Sequence, residues 1–299
     1  DDHDHRMLLN AIGPVWDGNE VWLVLGGGAL FAAFPLVYAS LFSGFYMAMM
    51  LVLLVLILRT IAIEFRSHRR SARWRSMWDW FFFASSLGIT ILLGVALGNV
   101  IRGVAIDADA NMSVNLVDLL NPYSLAVAAA AVAMLGLHGG IFLTLKVDGD
   151  LLTRVERLVP RLMIGFFVVM TGLMAWTLLL NSEVAGRYRD RVWIAAFPLL
   201  ALIAAVGAWR LILRRNYLAA FGASAAMIGL LLATVGAGMY PVLLPSSTDA
   251  AYDLTVHNAA SAPETLTVMT VIAVIGIPFV LIYTAGVYYF FREIGRAHV

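Results

Sequence analysis

The chain has 299 residues, 62% of them hydrophobic and only 13% charged, with a formal net charge of +1 and a mean hydropathy of +0.87. That leaves too little polar surface for a water-soluble fold of this length, and no nucleic-acid partner is expected. Without a single cysteine, disulfides, thiolate metal sites and cysteine nucleophiles are excluded as well.

In chain order, residues 1–16 open with Asp-Asp-His-Asp-His-Arg, lack an initiator Met, and read as a polar loop within a longer chain. Eight apolar spans follow, at 17–40, 43–63, 79–101, 122–145, 160–181, 191–213, 218–240 and 265–291. Each is long enough to cross ~30 Å of hydrocarbon as a helix, and the short alternating segments of a β-barrel are absent. The expected fold class is therefore an all-α membrane protein. Pro35, Asn121-Pro122, Pro160, Tyr240-Pro241 and Pro245 punctuate the spans, and Trp74, Trp78, Trp80, Trp193, Trp209 and Tyr288 sit at their ends as interfacial anchors. Residues 1–292 form one domain. Residues 293–299, Glu-Ile-Gly-Arg-Ala-His-Val, match a translated sequencing adapter and are expected not to be native.

Charge sets the orientation. With eight spans, sixteen of the twenty Lys and Arg fall on one side, most densely between Arg59 and Arg75. The basic side of such a bundle is cytoplasmic, which puts residues 1–16 and the carboxyl end on the cytoplasmic side. The outer connections 102–121 and 241–264 hold Asp107, Asp109, Asp118, Asp249, Asp253 and Glu264. They read as solvated loops, with contact to a partner's outer domain as the other reading.

Ionisable groups at membrane depth are costly and default to functional candidates. Asp17 and Glu20 lie three apart at the start of the first span and project from one helix face. Two compatible readings stand: an N-cap with an acidic N3, or a carboxylate that takes protons from the cytoplasm. Glu64 ends the second span, where it either forms an interfacial ion pair with Arg59 or Arg66 or marks the mouth of the same path, beside His68. His138 stands mid-membrane before Gly139-Gly140. With no second intramembrane His to complete a haem ligation, a hydrogen bond to a neighbouring helix is expected instead. Gly26-Gly27-Gly28 lacks the following Lys-Ser/Thr of a phosphate loop and reads as close helix packing. Alone, the chain contains no self-sufficient active site.

The stretch Gly13-Pro14-Val15-Trp16-Asp17-Gly18-Asn19-Glu20-Val21-Trp22-Leu23, continuing to Pro35, resembles the signature region of cytochrome bd quinol oxidase subunit II. Ser43-Gly44-Phe45-Tyr46, Arg73-Trp74-Arg75 with Trp78-Asp79-Trp80, Asn121-Pro122-Tyr123, Tyr240-Pro241 and Leu266-Thr267 agree in order and spacing. The resemblance implies nine helices in two four-helix bundles plus a peripheral helix, with the first helix preceding Asp1. It further implies pairing with a subunit I that carries two b-type haems, one d-type haem and the quinol-oxidising loop, and no haem ligand or metal in this chain. The complex would oxidise quinol outside and reduce O2 to water with cytoplasmic protons. A structural quinone and a small third subunit are left open. Carried over by motif, Asp17 is the proton-path carboxylate, Glu64 and His68 its mouth, and Trp22 lines an oxygen or intersubunit cavity. His68 stands where some members carry Lys. Trp16, Gly18, Asn19, Glu20, Arg59, Trp78 and Asp79 belong to the motifs as structural residues. The competing class is a secondary transporter or ion permease, which would show broken helices and charges at the midplane.

Overall fold

Seven of the eight expected spans are single long helices in the computed structural model, which describes residues 2–180 and 182–291. They are α4 (Tyr46–Phe65), α5 (Ala72–Arg102), α7 (Pro122–Leu143), α8 (Gly149–Leu180), α10 (Ala196–Leu213), α11 (Tyr217–Met239) and α12 (Pro263–Phe290). All seven are long and apolar enough to cross a membrane. Residue 292 and the suspected adapter segment lie outside the described residues.

The first expected span is two helices rather than one: α2 (Trp16–Ala33) and α3 (Pro35–Gly44), broken at Phe34. Pro35 has no N–H to give to Phe31, and Phe34 itself adopts φ −137°, ψ 66°, so the ladder stops there. At 1.5 Å per residue the break lies about 27 Å along α2, near one end of a crossing rather than its middle. The polar opening read as a loop is also helical, α1 (Asp2–Ile12), and buries Asp4, Met7 and Ala11.

Two cores share α7. Leu137, Ile141, Val159, Met163, Ala208 and Met227 join α7, α8, α10 and α11 in a four-helix core, which Met7 of α1 caps at its arginine-rich end. Val37, Ala48, Val95 and Ala128 join α3, α4, α5 and α7 in the second. Helix α12 buries no residue and lies against α2, where the Asn19 amide donates to the Tyr288 hydroxyl at 3.0 Å.

Lipid supplies no hydrophobic force between helices, so close approach of small residues matters most. It occurs between α5 and α7, not at the triple glycine. A Cβ on Gly94 or Gly98 would stand 2.6 Å from the Cα of Ala128 or Ser124. Among the described residues nothing lies within 4 Å of a Cβ built on Gly26 or Gly28, and only the Phe42 ring reaches Gly27, so the close packing expected of them is not formed within this chain. Those glycines sit on a helix with no buried residue.

The connections 102–121 and 241–264, expected as solvated loops, are partly structured. They hold α6 (Leu116–Leu119), β1 (Val242–Leu244) and β2 (Leu254–Thr255), and β1 pairs antiparallel with β2. Ile106, Leu119, Leu244 and Leu254 are buried in the second core. The cap closes the break in α2: Ser261 gives its N–H to the Ala33 carbonyl at 2.8 Å and its hydroxyl to that of Ala32 at 2.6 Å. Two carbonyls freed by Phe34 and Pro35 are thereby satisfied, as buried backbone requires.

Candidate functional site

The sequence candidates converge on the arginine-rich end. Val15 is the residue before α2 and caps nothing with its side chain, so Trp16 is the first helical residue and Asp17 the second. The capping-box reading of Asp17 and Glu20 is therefore corrected. Asp17 instead faces out from the first turn, where the positive end of the helix dipole favours a carboxylate. Among the described residues it has no hydrogen bond or ion pair. Gly18 beside it is open, with nothing within 4 Å of a built Cβ.

Glu20, one turn further along, is half-buried and lies 2.7 Å from Arg59 Nη1 of α4. The contact is electrostatic rather than a formed hydrogen bond: Glu20 Oε1 and Arg59 Nε are both buried and lack an aligned partner. The Arg59 guanidinium also stands 6.0 Å over the Phe82 ring.

That pairing corrects the expected one. Arg59 reaches Glu20, and Arg66 reaches Asp79 and Asp2, so Glu64 has neither. Helix geometry explains it, since residues five apart, like Arg59 and Glu64, point about 140° apart around the axis. Glu64 is exposed, and its carbonyl meets His68 Nδ1 at 3.1 Å. The His68 ring stacks on Phe65 with centroids 5.0 Å apart. Trp78 packs among Phe65, Trp74 and Phe81 with its indole N–H buried and unbonded. Trp22 is 37% exposed on the uncovered face of α2, beside Val21, Leu23 and Val24.

The largest polar constellation was not foreseen. The Arg66 side chain is 3% exposed and forks onto Asp79, with Nε 2.5 Å from Oδ1 and Nη2 3.2 Å from Oδ2, while Nη2 also donates to Asp2 at 2.9 Å. Asp2 takes Arg75 at 2.6 Å and Arg6 at 3.0 Å, and His5 Nδ1 lies 2.7 Å from Asp79. Asp4 accepts from Arg154 of α8 at 2.7 Å. Helix α1 is thus a clamp over the basic ends of α4, α5 and α8. Of this set, Asp79 and Arg75 stood in the sequence only as motif residues, and Arg66 only as a possible partner of Glu64.

The clamp has a pH signature. The Arg154 hydrogen bond holds the Asp4 carboxyl below its ordinary 3.8, against a partial desolvation that raises it. Desolvation likewise raises Asp2, but Arg66, Arg75 and Arg6 outweigh it and leave that carboxyl low too. A carboxyl lowered by folding contributes stability above its unfolded value and loses it as pH falls through its folded one. Hydrogen exchange of α1 is therefore expected to stay slow from pH 7 to 5 and to quicken only below about pH 4. Quickening already at pH 6 would show that the Asp2 and Asp4 carboxylates do not carry the hold.

His138 behaves as expected of a mid-membrane histidine bound to a neighbouring helix. Its Nδ1 lies 2.8 Å from the Ser224 hydroxyl of α11, and its ring stacks on Phe221 at 4.8 Å. Among the described residues no three His, Asp or Glu side chains gather as a metal site.

Fold and site together define a polytopic helical membrane protein with a network of ion pairs at the arginine-rich end of its helices. The sequence profile of the cytochrome bd terminal oxidase subunit II family matches residues 1–291, and the chain belongs to that family. It is 36% identical to cytochrome bd-I ubiquinol oxidase subunit 2 of Escherichia coli K12, over 96% of this chain and 84% of the relative. It is 35% identical to cytochrome bd ubiquinol oxidase subunit 2 of Bacillus subtilis 168, over 97% and 85%. A chain of the Geobacillus thermodenitrificans bd oxidase structure shares the fold, with a TM-score of 0.77 at 18% identity over 99% of this chain and 87% of that one.

Proposed function

We propose that this chain is the second subunit of a membrane quinol:O2 oxidoreductase, and that it forms the cytoplasmic entrance of the proton route at Asp17. The observation that carries the reading is the carboxylate of Asp17, exposed at the arginine-rich end of α2 and without a partner among the described residues, while Glu20, Asp2, Asp79 and Asp4 are each tied to an arginine. Family membership and the relatives named ubiquinol oxidase subunit 2 support the reaction class. By the positive-inside rule that end faces the cytoplasm, with the carboxyl end on the same side. The partner is subunit I. There the two b-type haems and the d-type haem would carry electrons from quinol to O2, as the family resemblance implies. Glu64 and His68, both exposed, widen the mouth around Asp17. Trp22 faces the partner across the uncovered side of α2.

The broken helix α2–α3 is the one feature a transporter would share. Its break lies near the outer end, is satisfied by Ser261, and has no charged side chain between Leu30 and Ser43. Transporters place such breaks at the midplane around a bound ion or substrate.

The test is Asp17→Asn in the assembled complex. Quinol-driven O2 uptake is expected to fall about 10- to 100-fold, the low end of what losing a proton-transfer group costs, with haem spectra unchanged. Parental turnover in that variant removes Asp17 from the route.

A further inference from the structure

Glu20 and Arg59 are the deepest charged residues on their two helices. Beyond Glu20, α2 carries no titratable side chain before its break, and α4 carries none between Tyr46 and Arg59. Glu20 lies three residues past Asp17, about 4.5 Å further in and on the same face. Its Oε1 is buried and unbonded although a guanidinium stands 2.7 Å away, and the Nε of that guanidinium is buried and unbonded too. A pair serving only as a brace would be expected to align its hydrogen bonds, because a buried polar atom left unmatched is destabilising. Here the charges compensate each other while the carboxylate keeps an acceptor position free.

We propose that Glu20 is the second proton carrier, receiving the proton from Asp17, and that Arg59 holds it as the waiting carboxylate. The inference rests on the reading of Asp17 as the entrance. In the handover the O–H bond at the Asp17 carboxyl breaks and one forms at the Glu20 carboxylate. The negative charge moves outward to Asp17, which is reprotonated from cytoplasmic water. Arg59 is a positioning residue: it touches Glu20, never the proton's final acceptor. With no titratable group further along α2, Glu20 passes the proton out of this chain, to the partner subunit or to water between the two.

The test compares Glu20→Gln, Arg59→Gln, the double Glu20→Gln/Arg59→Gln, Glu20→Asp and Asp17→Asn in the assembled complex, read by haem content, O2 uptake and the H2O/D2O rate ratio. Arg59→Gln strands a carboxylate and is expected to lower haem content. The double variant, neutral at both positions, is expected to restore haem content yet turn over about tenfold slower with a larger isotope ratio, as proton delivery becomes limiting. Glu20→Asp keeps a carboxylate and is expected to stay within about threefold of the parent. A double variant that regains parental turnover and isotope ratio makes the pair a brace and overturns the relay. So does Glu20→Asp with full haem content but the same loss as Glu20→Gln. Slow Asp17→Asn beside a fast double variant overturns the relay alone and leaves the entrance standing. Parental rates in Asp17→Asn remove both.

Discussion

Arg66→Ala is expected to cost about 3 kcal/mol of stability, the low end for breaking a buried ion pair, because Asp79 and Asp2 keep some contact with water. The guanidinium is 3% exposed, makes the two-pronged contact with Asp79, and spans to Asp2 on α1. Its removal leaves Asp79 facing only His5 and takes from α1 one of its tethers to the bundle. Lysine is a poor substitute, since a point charge cannot reproduce the fork. Replacing both partners, as in Arg66→Leu with Asp79→Asn, is expected to recover most of the loss, because no unpaired charge is left behind. Denaturant unfolding of the detergent-extracted protein measures the difference. The same samples, probed by limited proteolysis near Ile12, show whether α1 has come away. An Arg66→Ala protein as stable as the parent would mean that the clamp decorates the surface instead of joining the helices.

The long apolar helices were legible because the bilayer thickness fixes their length and lets few charges into their middles. Their ends were not. The sequence put the starts of two spans at 79 and 160, whereas α5 begins at Ala72 and α8 at Gly149. In both, arginine-bearing amphipathic turns continue the helix past the apolar run. In α8, Leu151, Val155 and Val159 recur every four residues and stay buried although Arg154 and Arg157 lie between them, and Pro160 is accepted inside the helix instead of starting it. Asp17 was readable from a motif. The partners of Arg59 and Arg66 were not, because nearness along the chain suggested Glu64 where the fold supplies Glu20, 39 residues earlier, and Asp79. Charge pairing across helices depends on rotation about each axis, which composition does not encode. The His138 contact was foreseeable in kind, but Ser224 was not, since nothing local links residues 86 apart. The glycine result has the same origin. Three consecutive glycines look like a contact seam, yet the seam that forms uses Gly94 and Gly98, four apart and so on one face.

Gly98→Val should therefore be among the most damaging single changes in the protein, at about 3 kcal/mol, the upper end for overpacking a close helix contact. A Cβ there would stand 2.6 Å from the Ser124 Cα and 3.0 Å from its Cβ, and backbone cannot swing aside as a side-chain tip can. Helices α5 and α7 would have to part, and the polar network beside the contact would part with them. Asn99, 2% exposed, donates to the Val95 and Leu119 carbonyls at 2.8 Å each and accepts from Asn121 at 2.8 Å. The Ser124 hydroxyl bonds the Leu119 carbonyl at 2.5 Å. Those groups are buried where helix α5 meets α6 and the start of α7, so loosening the seam breaks the hydrogen bonds that satisfy them. Gly94→Ala, against the Cα of Ala128, is expected to act in the same direction by a smaller amount. Gly136→Ala on α7, where nothing lies within 4 Å, serves as the control and is expected to leave stability unchanged. Equal stability of the Gly98 and Gly136 variants would mean that the α5–α7 approach is looser than 2.6 Å implies. The second core would then owe its cohesion to the outer cap, and Ser261→Ala would become the more damaging change.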